Sequence, residues 1–278
     1  MSRLGGGGGG LGGPGKVAKI LLGGSERNQL GTGDYLASLL DGACEINRVG
    51  KGLVVGDMQL ISRFIATHPK VERLFLSGNA LGPAGAREIA SHLTSPLLSI
   101  RAREIASLLA APLLSIRRLD LRHNNFGDEG CVLILAAVAE STSLTRLDLS
   151  TNGITSAVAP RLAAALRRNN TQTRLDLRHN DLGDAGAASV AEALRNADLC
   201  APLTHLDLSA NAIGHKGAEA LAAVVKFNTR LRTLDLRGNA VSLSGVRALE
   251  SAGAHAEKSG AAPEGRQILI PLAIGARA

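Results

Sequence analysis

Twelve charged or titratable side chains recur at positions from which they could act together on one ligand. Asp120, Asp148, Asp176, Asp207 and Asp235 hold the same place in five copies of a short motif, and Arg118, Arg146 and Arg174 stand two residues before them, with His205 at that place in the next copy. Arg122, Arg178 and Arg237 stand two residues after. Guanidinium groups fork onto carboxylates through two parallel hydrogen bonds, so such columns can grip acidic groups on another molecule. With Arg73 from a looser copy the set has seven arginines and five aspartates, net positive by two. The plainer role is mutual: columns of opposite charge relieve the repulsion between neighbours of like charge. The two roles are compatible. Proton-transfer or nucleophilic chemistry finds no support, because no Ser-His-Asp or Cys-His constellation is discernible. His123 and His179 share one position two copies apart, but no Cys or acidic residue alternates beside them, so they are expected to be turn residues and no metal or cofactor is expected.

The columns need elements to carry them. Arg118-Leu119-Asp120-Leu121-Arg122-His123-Asn124 returns at 146–152, 174–180, 205–211 and 233–239, and more loosely at 73–79. From first Leu to first Leu the steps are 74 to 119, 119 to 147, 147 to 175, 175 to 206 and 206 to 234, with 28 the dominant value. A fixed period of this size is the mark of a solenoid. Within the motif, strand alternation turns Leu119 and Leu121 inward and Arg118, Asp120 and Arg122 toward solvent. The Asn at the strand end can satisfy backbone groups left open by the turn, and stacking can join these residues into a ladder. The second half of each unit, as in Leu182 to Leu194, carries apolar residues at helical spacing behind a Gly turn.

The pattern Leu-x-Leu-x-x-Asn-x-Ile/Leu-Gly-x-x-Gly-Ala, continuing through Leu-Ala-x-Ala-Leu, resembles the leucine-rich repeat of the ribonuclease-inhibitor subtype over about Ile46 to Glu250. The resemblance implies an α/β leucine-rich-repeat solenoid, a curved horseshoe with a parallel sheet on its concave face and helices on the convex face. It also implies a non-enzymatic scaffold binding a protein through the concave strands, with regulation of a small GTPase as the alternative. The expected organisation is a Gly-rich flexible tail at 1–33, a cap with a degenerate repeat at 34–73, the repeats at 74–255 and a C-terminal tail or cap at 256–278. In the cap, Leu53, Ile61 and Ile65 match Leu81, Ile89 and Leu93 one period on, whereas the strand half around Ile46 does not match. A short helix is expected at Asp34 to Leu40, and an edge strand or docked tail at Gln267 to Leu272.

Composition sets the remaining bounds. The 278 residues are 45% hydrophobic with no Trp, which suits a core packed by Leu and Ala, and the net charge of +7 favours a partner with an acidic surface. Nucleic acid is disfavoured because aromatic stacking platforms are missing apart from Phe75. Three cysteines, Cys44, Cys131 and Cys200, make no disulfide framework, and Cys131 replaces the Ala of other units, so it reads as a packed thiol in a cytoplasmic (or nuclear) protein. There is no run of eighteen apolar residues, so no membrane span is expected. Gly10 to Lys16 has the letters of a phosphate-binding loop, yet Val17 follows where Ser or Thr is needed, and 17–22 reads as a strand after the glycines, which is the wrong order. Asn169-Asn170-Thr171 has the letters of a glycosylation sequon. The 45-residue step contains a duplication, Ala86 to Ile100 returning as Ala102 to Ile116, that lacks the Asn turn and cannot be an ordinary repeat. Gln172 enters a column otherwise apolar and needs a backbone partner. A longer loop is expected at 196–201.

Overall fold

The computed structural model describes residues 45–54, 71–93, 116–195, 202–260 and 262–270, with 56–58, 61 and 65 between the first two stretches. The expectations at 17–22, 34–40 and 196–201, the glycine tail, residues 94–115 of the duplication, Cys44, Cys200 and residues 271–272 of the expected end strand lie outside the described residues.

Strand and helix alternate along the chain: β1 (Glu45–Asn47), β2 (Arg73–Phe75), α1 (Gly82–Leu93), β3 (Arg118–Asp120), α2 (Gly127–Glu140), β4 (Arg146–Asp148), α3 (Ala159–Arg168), β5 (Arg174–Asp176), α4 (Gly183–Leu194), β6 (His205–Asp207), α5 (His215–Phe227), β7 (Thr233–Asp235), α6 (Leu243–Lys258) and β8 (Gln267–Leu269). A one-turn 3-10 helix, Ser156–Val158, leads into α3. The eight strands form one parallel sheet in chain order. This is the solenoid expected from the period, with the α/β strand-and-helix unit that the resemblance implies. Strands about 4.8 Å apart cannot keep pace with helices needing roughly 8–10 Å, so the stack bends toward its strands.

Register is set by leucine. Leu74, Leu119, Leu147, Leu175, Leu206 and Leu234 are matched across successive strands and end on Ile268. Each is at most 3% exposed, and the second column, from Leu76 to Leu236, is sealed completely. A slip of one residue would expose both columns, which is why the pairing is unambiguous. The helices close the other side with small residues: Ala86, Cys131, Ala187 and Ala218 occupy one equivalent position and are all fully buried. Close helix stacking also needs Gly217, where an added Cβ would stand 2.7 Å from Asp184 Oδ1 and 2.9 Å from Ala187 Cβ.

The turn asparagines form the expected ladder. Asn152 Nδ2 donates to the carbonyls of Leu121, Leu149 and Ser150, and its Oδ1 accepts from the N–H groups of Asn124 and Phe126 in the preceding unit. Asn79, Asn124, Asn180, Asn211 and Asn239 repeat the arrangement. The residue before the Asn takes a left-handed backbone in every unit, by Gly at 78 and 238 and by His123, Thr151, His179 and Ala210 elsewhere. Both histidines are thus turn residues, as expected.

Two expectations need correction or refinement. The strand half of the cap does form: Ile46 pairs with Leu74, although Arg48 stands where later units have an inward Leu and Lys51 where they have Asn. Backbone suffices, because Asn79 donates to the Arg48 carbonyl and accepts from Lys51 N and Leu53 N. The helix half matches as expected, with Leu53, Ile61 and Ile65 buried. As for the 45-residue step, β2 pairs directly with β3, so the duplication adds no strand between them. At the far end β8 is the edge strand expected near 267, and Arg266 fastens it by donating to the carbonyls of Leu231, Val225 and Asn228.

Candidate functional site

The concave face has three columns that differ in their partners. Register places Arg118, Arg146, Arg174, His205 and Thr233 in the first, and Asp120, Asp148, Asp176, Asp207 and Asp235 in the second. The third, just past the strands, alternates Arg122, Ser150, Arg178, Ser209 and Arg237. A trough of about 390 Å³ runs along the first two columns, with Phe75 at one end and Thr233 at the other.

The aspartates are tied down by their own strands. In all five, Oδ1 accepts the backbone N–H two residues on, which leans the carboxylate toward the third column. There Arg122 forks onto Asp120 with its Nη2 2.8 Å from Oδ2, and Arg237 onto Asp235 at 2.6 Å. Arg178 reaches Asp176 at 3.6 Å, while the Ser150 and Ser209 hydroxyls donate to Asp148 and Asp207 at 2.7 and 2.6 Å. The expectation that every aspartate faces solvent is therefore corrected at two positions. Asp120 and Asp235 are buried at 6% and 5% exposure, each under a guanidinium fork. Charge is thus balanced mainly within a strand. Across strands, Arg122 also stands 3.7 Å from Asp148, and Arg73 of β2 stands 3.5 Å from Glu45 of β1.

Like charges in register leave a signature at the centre of the face. Burial, then the Asp148 and Asp207 carboxylates, push the Asp176 carboxyl up to about 6 against the opposing pull of Arg178. His205 is held below its ordinary value by burial and then by Arg174, Arg146 and Arg232, with its Nδ1 2.8 Å from the Thr204 hydroxyl. The first column at neutral pH is therefore three arginines followed by a neutral imidazole.

Arg118, Arg146 and Arg174 have no carboxylate partner among the described residues. Arg73, next in the column, is held by Glu45 at 3.5 Å. The structure therefore brings all twelve sequence-chosen residues onto one face but divides them. Arg122, Arg178 and Arg237 are engaged with Asp120, Asp176 and Asp235, and the 118–146–174 ladder is available. The serines and Glu45 that make this division were not singled out in the sequence, although Asp-Leu-Ser against Asp-Leu-Arg was there to be read.

Other candidate sites resolve into structure. Cys131 is sealed, and burial followed by Asp128 pushes its thiol up to about 12. Asn169 of the apparent sequon is buried, its amide donating to the carbonyls of Val138 and Ser141 and accepting from Thr171 and Gln172. Gln172 Nε2 meets its backbone partner, the Arg174 carbonyl, at 3.5 Å. Asp128 and Asp184 clip successive units, through Thr155 and through the N–H groups of Gly214 and Gly217. Among the described residues no group of three or more His, Cys, Asp or Glu could hold a metal, and no helix is long and apolar enough to cross a membrane.

A family model described as leucine rich repeat matches residues 67–90, 114–135, 140–157, 168–191, 199–222 and 227–249. No curated protein matches. Among solved structures, the chain is similar to leiomodin-1 actin-binding site 2, at 24% identity and a TM-score of 0.39 over 48% of this chain and 75% of that one. It is also similar to an internalin from Listeria monocytogenes, at 16% identity and a TM-score of 0.39 over 78% of this chain and 48% of that one. A third is TLR13 in a TLR13–ssRNA13 complex, at 16% identity and a TM-score of 0.41 over 77% of this chain and 29% of that one.

Proposed function

This chain is a leucine-rich-repeat protein, and from that premise we propose that it is a non-enzymatic interaction scaffold holding a protein partner on its concave strand face. The observation that carries this reading is the contrast between the two arginine columns. Arginines already forked onto a carboxylate gain little from a second, whereas Arg118, Arg146 and Arg174 offer guanidinium forks whose pairing with a partner's carboxylates adds directional hydrogen bonds. The partner is therefore one with an acidic surface, and its association slows as salt rises, because exposed charges govern encounter. We also place the repeats in the ribonuclease-inhibitor subtype, on the 28-residue step and the full helix in each unit. The repeat body is taken as 74–255, capped by 34–73 and 256–278, with 1–33 as a tail.

The test is affinity capture on the immobilised chain and on a variant with Arg118, Arg146 and Arg174 all replaced by Glu. The change turns the seven-to-five excess of arginine into four arginines against eight acids. A partner retained by the native chain at low salt, released by salt and not retained by the variant supports the reading. Retention indifferent to both changes moves the contact to the helical side or the tails.

A further inference from the structure

The available ladder has a definite length. Arg118, Arg146 and Arg174 share one register on three adjacent strands, and the run is bounded by the Glu45-engaged Arg73 on one side and by His205 and then Thr233 on the other. Parallel strands lie about 4.8 Å apart, so the three stems span about 9.6 Å measured across the strands. Carboxylates that engage all three must match that span.

A helix does so. On one helical face, residues i, i+4 and i+7 span about 10.5 Å at 1.5 Å rise per residue, within about 1 Å of the ladder, which flexible arginine stems absorb. An extended chain laid in the same direction turns every second residue to one face, and three such residues cover about 13.2 Å. It overshoots by about 3.6 Å and forfeits one pairing. The trough is also of fitting size: two helical turns of roughly 5 Å radius fill roughly 850 Å³, so a trough of about 390 Å³ takes one face and leaves the rest in water.

The neighbouring column decides what flanks the acids. Asp148 and Asp207 have serine hydroxyls as their closest side-chain partners, with Arg122 reaching Asp148 only at 3.7 Å, so a uniformly acidic surface would meet weakly compensated carboxylates beside the arginines. A basic residue one position after each acid lies about 100° round the helix and falls toward that column. At the β2 end Phe75 offers an apolar contact.

Resting on the acidic-partner reading above, we infer that the trough receives one face of a partner's α-helix lying across the strands. Its carboxylates stand one turn apart over Arg118, Arg146 and Arg174, with basic residues alongside over Asp148, Asp176 and Asp207. The test uses the full chain and fluorescent alanine-based helical peptides. One has Glu at i, i+4 and i+7, each followed by Lys; a second has the same composition with the charges scattered round the helix; oligoglutamate and single-stranded DNA complete the set. By anisotropy at low salt the laddered peptide is expected to bind at least tenfold more tightly than the scattered one. The preference should vanish in the triple Arg→Glu chain and in the milder Arg118→Gln, Arg146→Gln, Arg174→Gln chain, both checked for native melting. Equal binding of the two peptides, with oligoglutamate binding lost in the Gln variant, overturns the helix inference and leaves the acidic-partner reading standing. Binding of every probe unchanged by either variant overturns both, and DNA binding tighter than the laddered peptide makes the face a phosphate surface and overturns the inference.

Discussion

Replacing Asn152 by Ala tests whether the turn ladder, and with it the geometry of the concave face, is held as described. Five hydrogen bonds are lost, but not five equal ones. The carbonyl of Leu121 retains Asn124 Nδ2, that of Leu149 retains Asn180 Nδ2 and that of Ser150 retains the His123 N–H. The N–H groups of Asn124 and Phe126, at 3.0 and 3.4 Å from Oδ1, have no second acceptor among the described residues and belong to residues that are fully buried. A buried donor left unpaired costs about 1–3 kcal/mol. Two of them, less what an entering water restores, give an expected loss of about 3 kcal/mol. Asn180→Ala is the internal control, since the same bonds are made by a side chain that is itself partly exposed, so that water can substitute, and its expected loss is about 1 kcal/mol. Urea unfolding of the full chain followed by circular dichroism measures both. Equal losses, or a loss under about 1 kcal/mol at Asn152, would refute the assignment of the cost to orphaned donors.

Cys131 should stay unmodified when the folded chain meets a thiol reagent at pH 8, read by peptide mass spectrometry, because its thiol is sealed and pushed up to about 12; Cys131→Ala, matching the other units, should cost no more than about 1.5 kcal/mol. Asp176 binds its proton more tightly folded than unfolded, so its contribution to stability is full below its ordinary value near 3.8 and is lost as pH rises through about 6. With solvent screening allowed for, Asp176→Asn should gain on the order of 1 kcal/mol at pH 8 and almost nothing at pH 4, checked by denaturation at both. Gly217→Ala forces a Cβ to 2.7 Å from Asp184 Oδ1 and from Ile213 Cγ2. A loss of about 1–3 kcal/mol is expected in thermal melts.

Much of this architecture is legible in the letters because a solenoid repeats its reasons. Leu119 and its equivalents announce strand, face and register at once, and Cys131 falls where Ala shows what the position demands. What escapes the letters is decided by backbone. Glu45–Asn47 pairs as a strand despite Arg48 and Lys51, since Asn79 of the next unit needs only their main-chain groups. Likewise Arg118 and Arg122 are the same residue at the same distance in sequence from Asp120, and only one is paired. The Asp120 carboxylate accepts the Arg122 N–H and therefore leans one way. Asn169 shows the reverse error, a modification signal by spelling that is a buried clasp in space.

Arginine-specific chemical footprinting of the chain with and without its captured partner tests the concave-face claim most directly. Protection of Arg118, Arg146 and Arg174, with Arg161, Arg167 and Arg247 of the convex helices reacting as in the free chain, is the expected result. Protection of the helix arginines while the 118–146–174 ladder stays reactive would contradict it.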